Sequence, residues 1–289
     1  FTAAADVTMG VLVVRGSLEP VACYLLLLGA SALMYLGGIV LNDVLDAKLD
    51  ARERPERPIP AGRISALAAK GLAAVLMLIA LAFAAIVSFH THNVAPIMVA
   101  ALLATTIVLY DNLLKHTPFG PLAMGACRML NVLLGMTAAV EGFRSWGSLE
   151  WLIAGGIGVY VMGITRFART EAHRSSRANL SSALAIMLGG LVMLASSPMI
   201  VDLNRHFWVT PIGWYLLWAV IGLIVARRCV LAILDPRPGR VQAAVRQAIL
   251  WLIVIDAALA FGYSGPFWGC AVLLLLVPAS LLAIWIEQT

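Results

Sequence analysis

Residues 42–65 read NDVLDAKLDARERPERPIPAGRIS, and the fold is decided by how this stretch is read. It interrupts a very apolar chain, places Asp43, Asp46 and Asp50 at spacings of three and four, and then turns strongly basic. On a helix, positions i, i+3 and i+7 share a face, so the three carboxylates are expected to converge. The apolar run before Asn42 is long enough to cross a hydrocarbon core, which needs about 20 helical residues. Beyond the acids, Pro55, Pro58 and Pro60 keep the chain from remaining helical. Hard carboxylate oxygens at the mouth of an apolar bundle suit Mg²⁺, above all Mg²⁺ that arrives bound to phosphate. Arg54 and Arg57 follow within a few residues, and guanidinium grips phosphate oxygens in pairs. Acids for a metal and arginines for phosphate in one loop read as a diphosphate clamp. A solvated loop with internal salt bridges explains the charge, but not three aspartates in helical register that begin inside a span.

Working outward, the composition agrees with a membrane setting. The chain has 289 residues, 62% hydrophobic and 12% charged, with a mean hydropathy of +0.94. A soluble domain would carry about twice that charged share. Apolar runs occupy 1–15, 20–42, 65–88, 94–110, 121–140, 149–167, 180–200, 211–230, 241–263 and 266–286. They predict an all-α integral membrane protein of nine or ten transmembrane helices, forming a single domain over 1–289. The uncertainty in number sits at Ser264, Gly265 and Pro266, which alone separate the last two runs. Strand-type alternation is missing from the sequence, which leaves a helical bundle as the spanning form. Residue 1 is Phe, so the natural start is expected upstream. A net charge of +5, thinly spread, excludes nucleic acid as the expected partner. The four cysteines form no CxxC pair and are expected to be buried thiols. Trp146, Trp151, Trp208, Trp214 and Trp268 fall near span ends, as interfacial anchors do.

Of the 20 Lys and Arg residues, only Arg15, Arg144 and Arg205 fall on one side of this arrangement. Such a bias marks the other side as cytoplasmic. The polar loops after 42, after 110 and after 167 then share the cytoplasmic face, and a bacterial inner membrane is the expected location. In the second loop Tyr110 and Lys115 flank Asp111-Asn112-Leu113-Leu114, and Arg128 and Asn131 lie three apart within the next span. An arginine there needs an anion: either a substrate diphosphate, or Asp111 or Glu171 as a structural partner. The third loop, residues 165–177, reads TRFARTEAHRSSR, with Glu171 as its single acid among Arg166, Arg169, Arg174 and Arg177.

The pattern Asn42-Asp43-x-x-Asp46-x-x-x-Asp50, followed by Arg57-Pro58 and Gly62, resembles the first aspartate-rich motif of the UbiA prenyltransferase superfamily. Tyr110 and Lys115 resemble that superfamily's tyrosine–lysine element. The string YDNLLKHTPFGPLAMGACRMLNVLLG, residues 110–135, is most similar to its EboC-type branch. The resemblance implies a UbiA-like bundle and Mg²⁺-dependent transfer of a polyprenyl group from its diphosphate to an aromatic small-molecule acceptor, among membrane lipids. By the same likeness Asp43, Asp46 and Asp50, with Asn42, would hold Mg²⁺. Arg57, Tyr110, Lys115, Arg128 and Asn131 would contact the prenyl diphosphate, together with Asn42. Asp43, Asp46 and Lys115 would be catalytic, and Glu171 would orient the acceptor or take its proton. The superfamily's second acidic motif, DxxxD or similar, is reduced here to Glu171, so Arg169 and Arg174 would neutralise diphosphate in place of a second metal. The eroded loop also allows a different class of protein, a non-catalytic carrier or flippase for a prenylated or lipid-linked precursor.

Overall fold

A computed structural model describes residues 1–139, 141–169, 176–200 and 207–281. The described residues form ten α-helices and no strand: α1 Thr2–Arg15, α2 Val21–Glu53, α3 Ala66–Thr91, α4 Ala95–Leu109, α5 Gly120–Met136, α6 Ser148–Ala168, α7 Arg177–Ala195, α8 Pro211–Leu234, α9 Pro238–Ser264 and α10 Pro266–Leu273. Seven helices among the described residues are long and apolar enough to cross a membrane. The fold is therefore an all-helical membrane bundle. Gly265, at φ +100°, separates α9 from α10, which settles the last two runs as distinct helices.

Consecutive helices pack side by side from α2 to α10, and α1 stands among them, touching α2, α5 and α9. Every residue of α1 from Ala5 to Val13 is buried. Such a post admits close neighbours only where side chains are small. A Cβ on Gly135 of α5 would lie 2.3 Å from the Val7 carbonyl oxygen, and one on Gly10 of α1 would lie 2.6 Å from that of Val132. Gly135→Ala is accordingly expected to destabilise the bundle by about 1–3 kcal/mol through overpacking. Gly189→Ala, where a new Cβ meets nothing within 4 Å, is expected to leave the melting temperature in detergent unchanged.

α2 continues beyond the apolar run that ends at 42 and reaches Glu53, 33 residues in all, or about 50 Å, so the three aspartates lie in helical register as their spacing predicts. Asp, Lys and Arg on the water-facing end cost a helix little, and no proline intervenes before Pro55. α4 ends at Leu109 and gives way to a single π-helical turn, Tyr110–Leu114, in which the Lys115 amide donates to the Tyr110 carbonyl at 2.8 Å. Such turns re-aim the side chains they carry and are frequent at functional sites. Trp214, expected as an interfacial anchor, is fully buried, and its indole donates to the Ala195 carbonyl at 2.8 Å. Of the expected buried thiols, Cys127 and Cys229 are buried, whereas Cys270 is exposed.

Candidate functional site

The acids of α2 form a stripe, and its two edges have different partners. At 3.6 residues per turn, Asn42 and Asp46 lie about 40° apart and Asp43 and Asp50 about 20° apart, with about 70° between the pairs. On one edge Asn42 donates to Asp46 at 3.1 Å. Lys115, delivered by the π turn, donates to Asn42 Oδ1 at 2.6 Å and pairs with Asp46. On the other edge Arg57 bridges Asp43 at 3.3 Å and Asp50 at 2.7 Å. The hydrogen bond to Asp50 is the main reason the Arg57 guanidinium has its pKa raised above the ordinary value. Convergence of all three carboxylates on one point, expected from spacing, is thus corrected. Among the described residues no group of three or more His, Cys, Asp or Glu is arranged to hold a metal ion.

That division does not remove Mg²⁺ chemistry. Mg²⁺ usually takes only one or two carboxylates and completes its shell with water and substrate phosphate. Asp46, with 17% of its side chain exposed, and Asp43, with 44%, present hard oxygens that suit this mode. Each is matched with a cation side chain, so positive charge already stands where a metal would bring it.

A cavity of about 320 Å³ opens beside the Asn42 edge. It follows α2 from Ser31 to Asn42, about 16 Å of helix, and Met34, Gly38, Leu103, Ile107 and Met124 make most of its wall apolar. Asn42, Tyr110 and Asp111 line one end, and Ser31, Arg128 and Asn131 the other. A smaller cavity of about 250 Å³ lies beside the other edge, lined by Asp43, Asp50, Arg57 and Pro58.

Arg128 and Asn131, expected to contact diphosphate, are already engaged. Arg128 donates to Asp6 and to Thr2, both at 2.7 Å. Asn131 donates to Asp6 at 3.0 Å and to the Ala3 carbonyl at 2.9 Å, and accepts from Ser31 at 2.6 Å. The anion that this intramembrane arginine finds is therefore Asp6 of α1 rather than Asp111. Asp6 went unread because its run looked like a clipped span, although an acid inside an apolar run was the signal available. Arg169 donates to the His116 carbonyl at 3.4 Å and so stands at the rim near Lys115. Glu171 and Arg174 lie outside the described residues.

Comparison with known proteins follows the same lines. A family model described as the UbiA prenyltransferase family matches residues 4–237. A digeranylgeranylglyceryl phosphate synthase from Methanoregula boonei is 29% identical over 208 residues, covering 70% of this chain and 71% of that one. A protein of the same name from Halobacterium salinarum is 30% identical over 208 residues, covering 68% and 70%. A third, from Methanoculleus marisnigri, is 36% identical over 110 residues, and the matched segment spans 37% of its length. Among solved structures, a UbiA homolog from Aeropyrum pernix K1 superposes with a TM-score of 0.67 at 19% identity, covering 89% of this chain and 95% of that one. A digeranylgeranylglyceryl phosphate synthase gives 0.66 at 19% identity, covering 91% and 93%. At that identity the likeness concerns the fold alone.

Proposed function

The chain belongs to the UbiA prenyltransferase family, and on that premise we propose that it transfers a polyprenyl group from its diphosphate to a hydroxyl-bearing acceptor within the membrane. The supporting observation is the mouth of the larger cavity, where Asn42, Asp46 and Lys115 interlock beside an apolar wall. Acids and cations meet there at the end of a greasy chamber, which matches a substrate with a highly charged head and an apolar tail.

In this reading the diphosphate enters at the Asn42–Lys115 mouth and the reacting end of the prenyl chain lies along α2. Lys115 and Arg57 turn from the carboxylates to phosphate oxygens, and Arg169 and Arg174 approach from the third loop. Asp46 and Asp43, assisted by Asn42 and Asp50, would hold Mg²⁺, which would supply charge to offset that building on the leaving diphosphate. Tyr110 borders the prenyl chain, and the apolar wall keeps water from the allylic cation. Arg128 and Asn131 shape the far end of the chamber. Glu171 is assigned to orienting the acceptor. The whole of 1–289 acts as one unit, and the Lys and Arg bias supports a site facing the cytoplasm.

The superfamily's usual acceptor is aromatic, whereas the relatives' name points to a glyceryl phosphate; both offer a hydroxyl. The EboC-type likeness rests on the 110–135 string. The test is to incubate purified protein with geranyl, farnesyl or geranylgeranyl diphosphate, Mg²⁺, and phenolic or glyceryl phosphate acceptors. Diphosphate release with a prenylated product is expected. Tight prenyl-lipid binding without turnover across the panel would establish the carrier instead.

A further inference from the structure

Asp43, Asp46 and Asp50 each have a cation side chain within salt-bridge distance. Asp111 differs. It is 9% exposed, lines the larger cavity beside Tyr110 and Asn42, and makes no side-chain hydrogen bond or ion pair among the described residues. The π turn is what puts it there: Asp111 sits inside the turn, one residue after Tyr110 and four before Lys115. A carboxylate that lines a cavity without a committed donor is open to one brought by a ligand. Every described acid of the α2 stripe is committed to a cation, so among the described residues at this mouth Asp111 is a carboxylate able to accept a proton without first breaking a salt bridge.

Resting on the prenyl-transfer reading, we propose that Asp111 is a catalytic residue that accepts the proton of the acceptor's hydroxyl. As the acceptor oxygen bonds to C1 of the prenyl chain, the C1–O bond to diphosphate breaks and its electron pair leaves with the diphosphate. The hydroxyl proton passes to the Asp111 carboxylate and from there to water once product departs. The donor's charge is handled at the Asn42–Lys115 edge, and the role assigned to Asp111 is on the acceptor.

Three variants test this: Asp111→Asn, Asp111→Glu and Glu171→Gln. Each is assayed with geranylgeranyl diphosphate, Mg²⁺ and whichever acceptor the wild type uses, and its melting temperature is compared with wild type. Asp111→Asn is expected to lower kcat at least about 100-fold, with the KM for the diphosphate and the Mg²⁺ activation curve within about twofold. A low-pH fall in kcat is expected in the wild type; it should vanish in Asp111→Asn and return in Asp111→Glu, with part of the rate. An Asp111→Asn variant that turns over at the wild-type rate overturns the proposal. So does one whose Mg²⁺ requirement or diphosphate KM shifts in proportion to its rate, since the group would then serve the donor. If Glu171→Gln alone removes the low-pH limb, the role passes to Glu171. Absence of wild-type turnover with every donor and acceptor would instead remove the prenyl-transfer reading, and this assignment with it.

Discussion

Asp46→Ala is expected to lower diphosphate release at least about 1,000-fold, the upper range for losing one preorganised electrostatic group at a leaving anion. Asp46 is where the site's contacts meet: it accepts from Asn42 and pairs with Lys115, which in turn holds Asn42. On the proposed reading, removing it takes away a metal ligand and also unseats the lysine assigned to the phosphate. Asp50→Ala should cost only about tenfold, because Arg57 keeps Asp43 as a partner and Asp50 stands at the far edge of the stripe. Continuous measurement of released diphosphate with geranylgeranyl diphosphate and saturating Mg²⁺ separates the two. Equal losses would mean that the stripe acts as one undivided cluster.

The second large effect is on stability. Asp6→Asn should destabilise the protein by about 3–5 kcal/mol, because it strands the buried Arg128 without its counter-charge. Asn131, which also donates to Asp6, loses a charged acceptor in the same substitution. Asp256 provides the contrast. It is equally inaccessible and lies in the same cluster, against Asp6 and near Arg128, without being the ion-pair partner of that arginine. Asparagine keeps a donor toward Asp6 and leaves the Asp6–Arg128 pair whole, so Asp256→Asn should cost less than Asp6→Asn, at about 1 kcal/mol. Thermal unfolding of both variants in one detergent gives the comparison, and a larger loss in Asp256→Asn would reverse the assigned roles.

The bundle was legible because apolar runs of spanning length leave little choice of structure. The α2 acids were legible as a stripe for a similar reason, since spacing alone sets a helical face. What spacing did not give was the division of that face. The angles between Asn42, Asp46, Asp50 and Asp43 follow from the helix, but the choice of edge depends on where Lys115 and Arg57 arrive. Lys115 arrives through a π turn, a local change of register that no composition or periodicity announces. Asp111 was weighed only as a partner for Arg128 on the same ground: in sequence it is a polar residue after a span, and only the turn brings it to the cavity. Arg128 illustrates the opposite case. The need for an anion was plain, and its identity lay more than 100 residues away in α1.

The central claim is that the Asn42–Asp46 edge binds a diphosphate head through a divalent ion. Binding of geranylgeranyl S-thiolodiphosphate, an analogue that does not turn over, tests it most directly, in wild type and Asp46→Ala, with Mg²⁺ and with EDTA. Mg²⁺ should tighten wild-type binding at least about tenfold, or about 1.4 kcal/mol, and Asp46→Ala should abolish that gain. Equal affinity in Mg²⁺ and EDTA, or a metal gain undiminished in Asp46→Ala, would contradict it.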